Sequence, residues 1–110
     1  MGKIITSTVP EWGGEITLAS PFTLPQVASF MKLWRDLTEL GEVSSMEQNA
    51  LIWPVLRSFI QIWSIEGLEF PGANSFPGQP LSLVDDFMQW LFKECLAAYN
   101  EAEDEALPKA

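Results

Sequence analysis

The sequence predicts a mainly α-helical domain, in which three helices follow an N-terminal β-hairpin or extended segment. Two short runs of alternating residues, separated by a turn that contains proline and glycine, predict the hairpin. Three longer segments repeat apolar residues at helical spacing, and each begins near a capping residue. Because the chain has 110 residues, it can bury a single core, and residues 1–100 are predicted to form one domain.

The predicted hairpin covers residues 3–19 and contains the segment VPEWGG. Residues on either side of this segment alternate as they do in half-buried strands. Pro10 lacks the N–H that a strand ladder needs, and the pair Gly13–Gly14 can adopt positive φ, so the segment is predicted to form the turn. Trp12 lies at its tip. It either folds back as a lid on the core, which the glycines favour, or anchors a partner.

The first helix is predicted over residues 24–40. Thr23 and Gln26 have the spacing of a capping box, in which each side chain bonds the backbone of the other residue. Pro25 lies in the first turn, where its missing N–H does no harm. Apolar residues recur at helical spacing through the segment, and Gly41 is a natural stop.

The second helix is predicted over residues 45–66. Ser44 and Glu47 repeat the spacing of the capping box. The helix would be apolar on nearly all sides, which is typical of a buried central element. Pro54 interrupts it and predicts either a kink or the end of a short first helix near Trp53.

A segment rich in proline and glycine, residues 68–80, is predicted to form a long loop. Ser82 and Asp85 then begin a third helix with an apolar stripe, predicted over residues 83–100. The remaining residues, 101–110, carry four carboxylates. They are predicted to form a flexible, solvated acidic tail.

The composition argues against several classes of partner. The chain has 15 acidic and 6 basic residues, and its net charge is −9. Nucleic acid and anionic membranes both require lysine and arginine, so neither is expected as a ligand. The most apolar run, residues 50–65, is shorter than the ~20 residues of a membrane span and contains Arg57. The single cysteine, Cys95, cannot form an internal disulfide and predicts a reducing cytoplasm.

The sequence lacks the usual catalytic and metal-binding constellations. It contains no histidine, which removes the common proton shuttle and the histidine-activated nucleophiles. One cysteine without histidine excludes the familiar zinc arrangements, and no glycine loop with a lysine for phosphate is present. Cys95 falls on an apolar helical face and is interpreted as an inert core thiol. We therefore expect a non-enzymatic protein with no cofactor and no metal.

Binding to another protein is the function that remains, and aromatic side chains are the candidates for it. Five tryptophans are difficult to bury fully in a core of this size. Three of them lie at apolar helical stripes and are predicted in the core: Trp34, Trp63 and Trp90. Trp53 is the better candidate for an exposed anchor because Pro54 distorts the helix beside it, and Trp12 is the second candidate. Phe70 and Phe76 of the predicted loop complete the candidate partner-binding set.

The segment VPEWGGEITL, followed by a helix rich in aromatic residues, resembles the start of the tail assembly chaperones of long-tailed bacteriophages. The later segments LEFPG and LSLVDDFMQWL, ahead of a final helix and an acidic tail, are similar to that family as well. The resemblance covers most of the chain in outline and is sharp over the six residues VPEWGG. The segment ASPFTLPQ departs from the more basic strand that family members often have at this point.

The resemblance implies a non-enzymatic helper in the cytoplasm of the bacterial host, absent from the mature virion. Its partners would be the tape measure protein and the tail tube protein, and a homo-oligomer is left open. Two other functions remain: an acidic nucleic-acid mimic that inhibits a host protein, and a structural tail or head-completion protein. The mimic would need carboxylates spread over a surface, whereas the densest run in this sequence is confined to the tail.

Overall fold

The computed structural model describes residues 2–41, 44–72 and 80–106. Within these ranges, three α-helices and a three-stranded antiparallel sheet form an α+β domain around one hydrophobic core. The elements in chain order are β1 (Gly2–Thr6), a 3-10 helix (Pro10–Trp12), β2 (Gly14–Ala19), α1 (Leu24–Leu40), α2 (Ser45–Ser58), β3 (Ile60–Ile65) and α3 (Leu81–Ala106).

The prediction of a mainly α-helical fold is wrong, and β3 is the reason. Residues 60–65, predicted as the last turns of the second helix, form a strand that pairs with β2. α2 ends at Ser58, and the N–H of Phe59 bonds back to its last turn. The segment IQIWSI is rich in β-branched and aromatic residues, which favour strands. Its pairing also covers an edge of β2 that would otherwise expose unsatisfied backbone groups.

β2 is the central strand, and the order in the sheet is β1-β2-β3. One cross-strand row consists of Ile5, Ile16 and Trp63. Ile5 and Ile16 are buried, so this row faces the core. The next row consists of Ile4, Thr17 and Ile62. Ile4 and Ile62 are exposed, because successive residues of a strand point to opposite faces of the sheet.

The hairpin is present as β1 and β2, and the 3-10 helix occupies most of its turn. Gly13 has extended backbone, whereas Gly14 has a φ of +124° at the start of β2. The N–H of Glu66, just after β3, donates to the carbonyl of Gly13 at 2.8 Å. Trp12 is buried. The turn therefore folds onto the body of the protein, in agreement with the lid interpretation of this tryptophan.

α1 has the bounds that the capping residues predict. The N–H of Thr23 donates to Gln26 Oε1 at 2.8 Å, and the N–H of Gln26 donates to Thr23 Oγ1 at 3.4 Å. These reciprocal bonds complete the capping box. Gly41 follows the last helical residue with a φ of +70°, a conformation that L side chains rarely adopt.

α2 begins as predicted but ends eight residues before the predicted limit of residue 66, at Ser58. The hydroxyl of Ser44 accepts a bond from the N–H of Glu47 at 3.2 Å. Pro54 lies inside the helix, so an end near Trp53 is excluded. The carbonyl that loses its partner to Pro54 belongs to Ala50, which is exposed, and water can bind it there.

α3 is longer than predicted at both ends. It begins at Leu81, so Ser82 lies inside the helix and does not cap it. Asp85, predicted to serve the helix N-terminus, instead accepts a bond from Asn49 Nδ2 at 2.8 Å. This bond ties the first turns of α3 to α2.

The predicted acidic tail is helical through Ala106, so α3 extends six residues beyond its predicted end at residue 100. Alanine and glutamate are good helix formers, and they extend α3 beyond its apolar stripe. Ala102 is buried, and Glu101 pairs with Lys3 of β1 at 3.3 Å. Residues 107–110 lie outside the described part of the chain.

The two glycines of the turn allow a matched test of the hairpin. Gly14→Ala should lower the free energy of unfolding by about 2 kcal/mol or more, because the positive φ is unfavourable for alanine and the new Cβ would collide with the carbonyl oxygen of Ser64. Gly13→Ala is the control. A Cβ at this position meets nothing within 4 Å, so its effect should stay within about 0.5 kcal/mol. Urea unfolding followed by tryptophan fluorescence measures both, and equal stabilities for the two variants would contradict this account of the turn.

Candidate functional site

Trp53 is buried, so the prediction that it is an exposed anchor is wrong. Its side chain is 2% exposed, and its Nε1 donates to the carbonyl of Gly72 at 2.8 Å. The ring meets Trp63 and Phe70 edge-on, with centroids 6.2 and 6.3 Å away. Because α2 continues through Pro54, Trp53 keeps its place on the buried face of the helix.

Trp12 and Phe70 belong to the same group of aromatic rings. Trp12 contacts Phe87 edge-on at 5.6 Å, and Phe70 stacks on Trp63 at 5.0 Å. Phe70 is 38% exposed, and the guanidinium of Arg57 covers its ring at 4.3 Å. We call this group the aromatic cluster; its members are Trp12, Trp53, Trp63, Phe70 and Phe87. Of the predicted partner-binding set, the structure places Trp12, Trp53 and Phe70 in this cluster, and Phe76 lies outside the described residues.

The three most exposed large apolar side chains of α1 lie along one side of the helix. Leu24 is 81% exposed, Met31 is 55% exposed and Trp34 is 53% exposed. With the partly buried Val27, they recur every three or four residues and form one stripe. We call these residues the α1 stripe. Trp34 was predicted in the core and is not buried there, whereas Trp63 and Trp90 pack in or against the core as predicted.

A groove of about 320 Å³ runs between α1 and α3 beside this stripe. Its lining consists of Phe30, Met31 and Trp34 from α1, and Leu96, Tyr99 and Asn100 from α3. Nearly all of this lining is apolar or aromatic. We call it the α1–α3 groove.

Stacked rings fix the walls of the α1–α3 groove. Phe30 is buried and stacks on Tyr99 at 5.0 Å and on Phe92 at 5.6 Å. Trp34 stacks on Phe92 at 6.0 Å, with an angle of 12° between the ring planes. The two helices therefore run antiparallel, with the beginning of α1 next to the end of α3. Because Trp34 rests on Phe92, it is held in place although half of its surface is exposed.

A neighbouring groove of about 460 Å³ lies where α1, α2 and α3 meet. It shares Leu96 with the α1–α3 groove, and Leu37, Ile52 and Met88 supply further apolar lining. Asn49 and Asp85, joined by their hydrogen bond, lie at its polar side. The apolar surface of the α1–α3 groove is thus continued towards α2.

Charge is distributed unevenly along the α1–α3 groove. The sequence has no charged residue from Ile16 to Met31, which includes the first half of α1. The last turns of α3, residues 101–106, contain four carboxylates and no basic residue. Because the helices are antiparallel, both segments lie towards the same end. Near the other end of the groove, Lys32 pairs with Asp36 at 3.8 Å, so the charges of α1 are mixed there.

The described residues hold no group of three or more cysteine, aspartate or glutamate side chains that could bind a metal ion. Cys95 is buried among core residues. Burial raises the pKa of its thiol, and the neighbouring Glu94 carboxylate raises it further. A protonated, enclosed thiol is a poor nucleophile, so Cys95 is a packing residue. Among residues 2–41, 44–72 and 80–106, no helix combines the length and the apolar character needed to cross a membrane.

Comparison with known proteins adds no relative: no family model, curated protein or solved structure matches the chain.

The difference in burial between two tryptophans gives a stability prediction. Trp12→Ala removes a buried ring and should lower the free energy of unfolding by about 3 kcal/mol or more. Trp34→Ala removes a half-exposed ring and its stacking on Phe92, and should cost about 1 kcal/mol or less. Thermal and urea unfolding of both variants measure the difference. A stable Trp12→Ala protein would show that the turn is not anchored by this ring.

The buried thiol of Cys95 should resist chemical labelling. At pH 8 we expect an aromatic disulfide reagent to label the native protein only as fast as the core opens, and to label one thiol per chain rapidly in denaturant. Since the unfolded thiol ionises near its ordinary pKa of about 8.5 and the folded one does not, stability should also fall above that pH. The unfolding of Cys95→Ala provides the control and should lack this contribution. Rapid labelling of the native chain would contradict the assignment of Cys95 to the core.

Proposed function

We propose that this protein is a bacteriophage tail assembly chaperone that binds the tape measure protein and assists the assembly of the tail tube around it. The observation that carries the proposal is the exposed α1 stripe beside the apolar α1–α3 groove. The resemblance of the segment VPEWGGEITL and of the later segments to this family supplies the identity of the client.

Exposed apolar surface and strong negative charge suit this function together. A long helical client such as the tape measure protein presents apolar residues that aggregate in water unless another surface covers them. The α1 stripe offers side chains of the size and type that cover such residues. A net charge of −9 keeps the loaded complex in solution, because complexes of like charge repel one another.

The proposed action is non-enzymatic and needs no cofactor. The α1–α3 groove is lined by apolar and aromatic side chains and one asparagine, a set that buries apolar surface and has no nucleophile or acid–base pair. The protein would act in the cytoplasm of the bacterial host, release its client to the tail tube protein, and be absent from the mature virion.

Co-expression with the tape measure protein tests the proposal. We expect the soluble fraction of the tape measure protein from the same genome to rise several-fold when this chain is present, and the two proteins to purify together through a tag on either one. An unrelated acidic protein of similar size serves as the control for charge alone. Absence of both solubilisation and co-purification would contradict the chaperone function.

The composition of purified virions distinguishes this function from a structural one. A chaperone that hands over its client should be absent from intact particles, and mass spectrometry of purified virions measures this. Stoichiometric amounts of the chain in the particle would instead identify a structural tail or head-completion protein.

A further inference from the structure

We infer that the α1–α3 groove binds a basic amphipathic helix of the partner, with the apolar face of that helix against the α1 stripe. The inference deepens the proposed function and rests on it, since it specifies which surface holds the client and what chemistry the client must have. Its support comes from the length of the stripe, the shape of the groove and the distribution of charge around it.

The length and spacing of the α1 stripe match a helical partner. Leu24, Val27, Met31 and Trp34 lie three or four residues apart, the spacing at which one side of a helix meets another helix. From Leu24 to Trp34 the stripe is about 15 Å long at 1.5 Å per residue. A partner helix of about three turns covers that length with its own apolar residues at the same spacing.

The α1–α3 groove forms a channel beside the α1 stripe. Met31 and Trp34 form one wall, and Leu96 and Tyr99 of α3 form the other. Trp34 stacks on Phe92, so it loses less side-chain freedom when a partner covers it than an unsupported ring would lose. A single row of large apolar side chains from a helix fits into a channel of this kind.

The negative charge at one end of the groove favours a basic helix over other occupants. The end of the groove near Tyr99 is followed by the acidic last turns of α3, and the adjoining half of α1 has no charge to offset them. Glu101 keeps 59% of its side-chain surface exposed although it pairs with Lys3. Lysine or arginine residues on the partner helix, placed towards this end, would be attracted there. A second copy of the chain would carry the same net charge of −9, which disfavours self-association.

A synthetic peptide tests the groove directly. The probe is a fluorescein-labelled 18-residue peptide of leucine and lysine, with leucine at positions that form one face of a helix. Fluorescence anisotropy with the full chain should show saturable binding that weakens as salt is added. A peptide of the same composition in scrambled order, and one with glutamate in place of lysine, should each bind at least tenfold more weakly.

Substitutions in the α1–α3 groove test whether the peptide binds there. Trp34→Ala and Met31→Lys should each weaken the peptide at least tenfold, because the first removes a wall and the second puts a positive charge against a basic ligand. Both side chains are more than half exposed, so both variants should fold, and circular dichroism verifies this. Ile62→Ala, at an equally exposed apolar position on the outer face of the sheet, is the matched control and should change affinity less than twofold.

Three results would overturn the inference: unchanged affinity of both groove variants, equal binding of the scrambled peptide, or a dimer of the chain that Trp34→Ala dissociates. The co-expression experiment separates this inference from the proposed function. If Trp34→Ala and Met31→Lys still solubilise the tape measure protein, the chaperone function stands and the groove is the wrong surface. If the peptide binds the groove but the wild-type chain does not solubilise the tape measure protein, the groove stands and its partner is a different basic helix.

Discussion

Phe87 is the residue at which distant parts of the chain meet. Its side chain is fully buried and contacts Trp12 from the hairpin turn at 5.6 Å and Trp63 of β3 at 5.9 Å. Trp90, one turn further along α3, lies 5.3 Å away. Without this meeting point, the turn, β3 and α3 would each expose a large aromatic surface to water. The contacts fix α3 against the sheet. Phe92 lies on a different side of α3, where it contacts Phe30 of α1.

The apolar face of α1 is wider than the surface that its neighbours cover. Phe30 and Leu33 are buried in the core, whereas Met31 and Trp34, each the next residue along the chain, remain exposed. A globular domain needs an apolar stripe of only about 100° on a surface helix, and the surplus on α1 faces solvent beside a groove. In a neutral protein such a surface promotes self-association. In this chain, the excess of carboxylates opposes it, because copies of like charge repel one another.

The parts of the fold that depend on local chemistry could be predicted from the sequence. Thr23 and Gln26 define the start of α1 through their own hydrogen bonds, and the turn residues mark the hairpin. Residues 60–65 could not be assigned in this way, because an apolar run suits a buried helix or a strand, and the unpaired edge of β2 decides between them. The candidate site could not be predicted either. A stripe shows which residues share a helical face but not how much of that face a neighbour covers. The sequence therefore predicts Trp34 in the core and Trp53 at the surface, whereas in the structure Trp34 is half exposed and Trp53 is buried.

β2 has a neighbour on each side, and the ribosome makes these neighbours at different times. β1 precedes β2 by a short turn, whereas the end of β3, Ile65, is synthesised 46 positions after Ala19. At about 5–20 residues per second, that interval lasts about 2 to 9 s. Throughout it, the edge of β2 that β3 covers in the complete sheet has no partner strand. Completion of α2 and β3 covers this edge, and the speed of translation across these elements therefore determines how long the central strand lacks its second neighbour.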